Sequence, residues 1–236
     1  MSDILDIEVC YVDPAVEKFG LENSLLRVGT QFIEVVAPIA ADTAAGRYLK
    51  RRGGDGGYMV ICQARTRQIQ DEIRANAAAN QVRIAYESDR TSWNIMQLHP
   101  VDMGSAFLEA DWDQQEQVAG NWHPAGGIGW QNSIHTDAVS EIVAVELQAD
   151  DPARVARRWA AVTGQALETK TNGFEIRLEN ARVRFVEVAD GRGDGLAAID
   201  LRANDPEQIT VRASAQGCLN EQDQIIICGT RINLVN

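Results

Sequence analysis

The chain has 236 residues, 45% of them hydrophobic and 24% charged, with a formal net charge of −12. That length suffices for a sizeable core, in one large domain or two small ones, and no apolar run approaches the ~18 residues a membrane span needs. The acidic balance argues against nucleic-acid binding, which needs a basic face to replace counterions. The first ten residues, MSDILDIEVC, carry acids where an export signal carries Lys or Arg, so a cytoplasmic location is expected. Cys10, Cys62, Cys218 and Cys228 form no C-x-x-C pair, and three of them sit in apolar, strand-like runs. They are expected to be free and mostly buried thiols, not a disulfide or zinc framework.

In chain order, ILDIEVCYVD, LENSLLRVG and TQFIEVVAP read as three strands. TAAGRYLKRR reads as a helix that ends at GGDGG, with Arg51 and Arg52 placed to suit its dipole. A phosphate-binding loop runs strand, glycines, helix; here the order is reversed, so no nucleotide site is expected. YMVICQ is then a strand, QIQDEIRANAAANQ a helix, and VRIAYES, SWNIMQLHP and SAFLEADW three further strands. The stretch DQQEQVAGNWHPAGGIGWQNSIHTDAVS has no periodicity and reads as a long connection.

The second half repeats itself. VELQADDP (Val145 to Pro152) aligns with IDLRANDP (Ile199 to Pro206) at an offset of 54 residues. Each is a strand ending in Asp-Pro, a helix-start signal, and each is followed by a helix that stops at a glycine, Gly164 or Gly217. A second repeat links FIEVV (from Phe32), FLEAD (from Phe107) and FVEVA (from Phe185). Residues two apart on a strand share a face, so each copy is expected to set a glutamate beside a phenylalanine on one side of a sheet. RINLV, from Arg231, is a fourth copy in which Leu234 replaces the acid.

The repeats define an α+β fold of tandem βαβββ modules, the first lacking its first strand and helix because the chain begins at Met1. The expected division is an N-terminal half over 1–115, a connecting loop over 116–138, and a C-terminal half over 139–236. The incomplete module should leave a sheet edge or apolar face uncovered, and such surfaces are usually paired. A homodimer, with strand pairing between subunits, is therefore expected.

A tandem βαβββ module with a glutamate on its last strand resembles the vicinal oxygen chelate superfamily, which includes glyoxalase I, bleomycin-resistance proteins and extradiol dioxygenases. VGTQFIEVVAP, TAAGRYLKRRGGDGGYMVI and LHPVDMG resemble in particular the glyoxalase-like, dioxygenase-like proteins of bacteria. The resemblance implies paired modules curled round a cavity, with a divalent metal (Mn, Fe, Zn, Ni or Mg) held by first-strand and last-strand residues. Carried over, Glu34 and Glu109 stand at the last-strand ligand positions, and Tyr58 stands where a first-strand histidine is usual. Glu187 also matches, whereas Val143, Ala198 and Leu234 cannot bind a metal, so the second half resembles a structural copy.

Glu34 and Glu109 alone supply two oxygens, which suits Mg²⁺ or Mn²⁺ better than Zn²⁺. The competing reading makes them polar groups hydrogen-bonded within the cavity. Glu109 and His99 are the catalytic candidates; for His99, at the end of a strand, the competing role is capping a turn made by Pro100, Asp102 and Gly104. Tyr58, Phe32, Trp93 and Phe107 are candidates for the wall of a cavity that takes a small aromatic or carbonyl compound, against an ordinary role in the core. His123 and His135, with Trp122 and Trp130, are read as packing or interface residues rather than ligands. Arg154, Arg157 and Arg158 are read as a solvated helix face with Trp159 turned inward. No G-x-S-x-G elbow is present. The functional expectation is a protein that binds a small organic molecule in its N-terminal half: a metal-dependent lyase, isomerase or dioxygenase, or alternatively a metal-free binding protein or a structural relative.

Overall fold

The computed structural model describes residues 1–117, 129, 132 and 137–236. His123, His135, Trp122 and Trp130 lie outside the described residues. The first module has a short helix α1 (Ser2–Leu5), then β1 (Val9–Tyr11), a 3₁₀ turn (Pro14–Phe19), β2 (Leu21–Val28) and β3 (Gln31–Pro38). Ile4 and Leu5, expected in a strand, are helical and buried, and Asp6 in a left-handed conformation ends the turn. The joint is as the sequence implies. Helix α2 (Ala44–Arg52) is capped by the Thr43 side chain and terminated by Gly53 at φ 72°.

The second module comprises β4 (Met59–Gln63), α3 (Arg67–Ala79), β5 (Ile84–Asp89), β6 (Trp93–Leu98), a short α4 (Pro100–Met103) and β7 (Phe107–Asp113). The third comprises β8 (Val139–Ala149), α5 (Pro152–Thr163), β9 (Leu167–Lys170), β10 (Gly173–Arg177) and β11 (Arg182–Glu187). The fourth comprises β12 (Gly195–Ala203), α6 (Pro206–Ala215), β13 (Ile225–Ile227) and β14 (Thr230–Val235). Its missing strand survives as one bridge between Leu219 and Ile225. Asp151 and Asp205 cap α5 and α6 through their side chains, and each is followed by proline at the first helical position.

The chain forms two compact units. One contains Met1–Gly56, the described residues of Trp122–Val143, and Ile199–Asn236; the other contains the described residues of Gly57–Asn121 together with Ala144–Ala198. The grouping pairs the first module with the fourth and the second with the third, so it does not follow the sequential halves 1–115 and 139–236. The strands β8 and β12 are each divided between the units.

In the first unit, β1, β2 and β3 form one sheet, and β13, β14, β12 and β8 are neighbours in a second. Leu26, Val28 and Ile33 from one sheet join Leu201, Ile225, Ile227 and Ile232 from the other and Ile209 of α6 in a single core. In the second unit, β4, β7, β6 and β5 form one sheet, and β12, β8, β11, β10 and β9 lie side by side in the other. Leu98, Leu108, Leu147, Val155, Phe185 and the fully buried Trp159 are among the residues that fill its core. Trp159 meets Phe185 edge-on at 5.9 Å between ring centroids. No helix among the described residues is long and apolar enough to cross a membrane.

Candidate functional site

The alternation of strand residues decides which side chains leave the core. On β3, Ile33 joins the core of the first unit, so Phe32 and Glu34 face the opposite way. On β7, Leu108 and Ala110 belong to the core of the second unit, so Phe107, Glu109 and Asp111 face away from it. In these two modules the Phe-x-Glu pair therefore shares a face, as its spacing implies, and that face is turned away from the core.

In the third module the two residues again share a face, but it is the core face. Phe185 is buried against Trp159 in the core, and Glu187 follows on that same core-side alternation at the exposed end of β11. The motif is shifted by one residue relative to the pleat, which exchanges the two faces. The opposite face there carries Arg184, which pairs with Glu146 at 3.1 Å, and the buried Glu175, near Lys170, Arg177 and Arg182. Glu187 is not an equivalent of Glu34 and Glu109.

The two glutamates on outward-facing alternations share a feature that the sequence reading missed. Asn23, on β2, donates from Nδ2 to Glu34 Oε1 at 2.6 Å. Gln97, on β6, donates from Nε2 to Glu109 Oε2 at 2.6 Å. In each module a carboxamide on the penultimate strand holds the carboxylate of the last strand. The Asn23 orientation is fixed independently, because its Oδ1 accepts from the Asp13 backbone N–H at 2.8 Å. Gln97 lies directly opposite Glu109 in the ladder, whereas Asn23 reaches Glu34 diagonally from beside Leu25. The two-residue turn between Val28 and Gln31 sets the second register and was the available signal.

Solvent reaches Glu34, yet protein crowds its carboxyl. That burial raises its pKa above the usual carboxylate value; the Asn23 hydrogen bond lowers it and the Asp13 charge raises it further. On the same face Arg27 is 1% exposed, and its guanidinium lies over the Phe32 ring at 4.3 Å. Burial brings the Arg27 pKa down to about 10, so it remains a cation at neutral pH. One face of the Phe32 ring is therefore covered by a charge. Glu109 is 6% exposed and Asp111 5%. Their charges add to a larger effect of burial and push the Cys62 thiol up to about 12.

The remaining candidates are distributed unevenly. Tyr58 precedes β4, and its ring meets Phe107 at 5.0 Å. The β4 residue in register with Glu109 is Ile61, not Tyr58. Trp93 pairs with Asp113 at the far end of the same ladder, with Arg90 at 6.0 Å from its ring. His99 does not close a hairpin. It is the N-cap of α4, where Nδ1 accepts from the Val101 N–H at 3.3 Å, and Asp102 of that helix pairs with Arg83. The cysteines are free, but Cys228 is exposed, because the apolar run before it ends in a tight Cys228–Gly229 turn.

The donor set among the described residues does not by itself make a metal site. Among the described residues no three His, Cys, Asp or Glu side chains come together to hold one. Ile61 stands across from Glu109, and an amide donor already occupies one oxygen of each glutamate.

Tandem βαβββ modules that carry a glutamate on the last strand define the vicinal oxygen chelate fold, and this protein has it. More specifically, the chain belongs to the glyoxalase-like domain family, whose model matches residues 14–163. A hypothetical protein from Staphylococcus aureus is similar in structure at 13% identity, with a TM-score of 0.59 over 97% of this chain and 89% of that one. A triple mutant of 4-hydroxymandelate synthase from Streptomyces coelicolor is similar at 14% identity and a TM-score of 0.59, over 92% of this chain and 70% of that one. A xylose isomerase-like TIM barrel/4-hydroxyphenylpyruvate dioxygenase fusion protein gives 14% identity and a TM-score of 0.58, over 90% of this chain and 34% of that one. At these identities the likeness is one of fold. A search of curated protein sequences returns no match.

Proposed function

We propose that this protein binds a small organic molecule directly through its last-strand carboxylates, without a metal bridging protein and ligand. The observation that carries this reading is the repeated amide–carboxylate pair, Asn23–Glu34 and Gln97–Glu109, each at 2.6 Å. A carboxylate oriented by a neighbouring amide is pre-organised to accept a hydrogen bond from a ligand, since its two oxygens together offer about four acceptor sites. On the β4–β7 sheet, Glu109 is the polar anchor, Phe107 and Ile61 are its apolar neighbours, and Tyr58 closes on Phe107. The favoured ligand is a small aromatic or carbonyl compound that carries a hydrogen-bond donor. His99 serves the fold by capping α4. Cytoplasmic residence and a homodimer complete the proposal.

The test is a thermal-shift screen of small aromatic and carbonyl compounds. A hit should lose at least ~10-fold in affinity with Glu109→Gln, about the effect of one charge-assisted hydrogen bond. It should be retained by a folded His99→Ala. Equal affinity for wild type and Glu109→Gln would remove the carboxylate from the site.

A second reading, an isomerase or lyase that works by proton transfer, is favoured by Glu34. Its raised pKa brings it nearer to the range useful for a general base, and Asn23 fixes one of its oxygens. Exchange of substrate C–H for solvent deuterium, lost with Glu34→Gln, would support it. Exchange undiminished in that variant would refute it.

A further inference from the structure

The charge on α2 runs against the balance of the whole chain. The protein carries 34 acidic and 22 basic residues, yet Arg47 to Arg52 reads RYLKRR, with four cations and no acid. The helix dipole favours Lys50, Arg51 and Arg52 in the last turn. It does not favour Arg47, which stands one turn from the N-cap Thr43. Arg47 is also spaced i,i+3 from Lys50 and i,i+4 from Arg51, and like charges at those spacings destabilise a helix. An anion bound beside Arg47 and Lys50 offsets these costs.

The structure has a place for one. The end of β3 and the chain that leads into α2 form an open cleft of about 440 Å³, within the range of small-molecule sites. Pro38, Ile39, Ala40 and Ala41 give it an apolar side, where Ile39 is 53% exposed. Arg47 and Lys50 give it a cationic side, and Gly46 adds no side chain to the space. Arg47 Nη1 donates to the Asp42 carbonyl. That contact fixes the guanidinium and leaves its Nε–Nη2 edge for a planar anion. The Lys50 ammonium has no ion pair or hydrogen bond among the described residues. Of the lining residues only Asp42 is acidic, so two cations face one anion.

We infer that this cleft binds a small organic carboxylate, with the carboxylate on Arg47 and Lys50 and the apolar body against Ile39 and its alanine neighbours. The inference goes beyond the ligand reading and does not rest on it. Glu34 and Glu109 accept hydrogen bonds, so they select a donor; this cleft donates, so it selects an acceptor.

Benzoate is the probe, titrated into the isotope-labelled full chain and followed by amide chemical shifts. Amides between Ile39 and Lys50 should shift and saturate. Lys50→Gln and Arg47→Gln should each weaken benzoate by about fivefold, the upper end for an exposed ion pair. Lys50→Gln breaks no contact in the free protein, so its effect reads binding alone. Arg51→Gln, on the same helix but outside the cleft, should change the affinity by less than about twofold, because salt screens its more distant charge. Benzamide, the neutral isostere, should leave these amides unmoved at the same concentration. Inorganic phosphate should bind more weakly than benzoate, because it has no apolar body. Shifts that do not saturate, or that fall outside this segment, overturn the inference. So does an Arg51→Gln loss as large as that of Lys50→Gln, which marks a diffuse field and not a site. Benzamide or phosphate binding as well as benzoate likewise overturns it.

Discussion

Glu34 ties the chemistry of the site to the stability of the fold. Its folded pKa lies above the unfolded value because burial penalises the charge. Its contribution to stability is therefore present below the unfolded pKa and is lost as pH rises through the folded one. Glu34→Gln removes that loss. The variant should gain thermal stability relative to wild type at pH 8, with the gain shrinking toward pH 4. Paired melting curves across this range check it, and a constant difference would contradict the assignment. Asn23 is 6% exposed and uses both ends of its amide, so Asn23→Ala should cost about 1–3 kcal/mol in urea unfolding. It should also move the Glu34 carboxyl titration upward, because the lost hydrogen bond favours the ionised form. Both glutamates were legible in the sequence as last-strand acids. Their amide partners were not, because a partner on the neighbouring strand depends on register, and register rests on turn geometry.

At the scale of elements, the repeat FIEVV, FLEAD, FVEVA shows where pattern reading succeeds and where it fails. Two residues apart means one face, and this holds in all three copies. Which face is core depends on what packs behind the strand, and Trp159 draws Phe185 inward in the third. Helix boundaries were more legible, because Thr43, Asp151 and Asp205 cap through their own side chains. His99 was ambiguous for the same reason: one residue can end a strand and cap a turn, and only the Val101 contact separates the roles. Trp159→Ala should cost about 3–5 kcal/mol by equilibrium unfolding, since the ring is buried among Val155, Phe185 and their neighbours. Gly229 sits at φ 65° with the Asp55 carbonyl 2.0 Å from where a Cβ would be. Gly229→Ala should destabilise beyond the ordinary cost of lost left-handed freedom. A melting temperature equal to wild type would show that the turn and the Asp55 segment can move apart.

At the scale of the molecule, the four modules were readable from the repeats, but their grouping was not. Sequence order suggests two halves; the compact units group the first module with the fourth and the second with the third. Strand length alone does not reveal that. An amide holds one oxygen of each last-strand glutamate, and Ile61 stands in register with Glu109. The most direct test is isothermal titration of the full chain with Mn²⁺, Fe²⁺, Ni²⁺ and Zn²⁺, repeated on Glu34→Gln and Glu109→Gln. Uptake well below one equivalent per chain, unchanged in both variants, is the expected result. Stoichiometric uptake that is abolished by either substitution would contradict it.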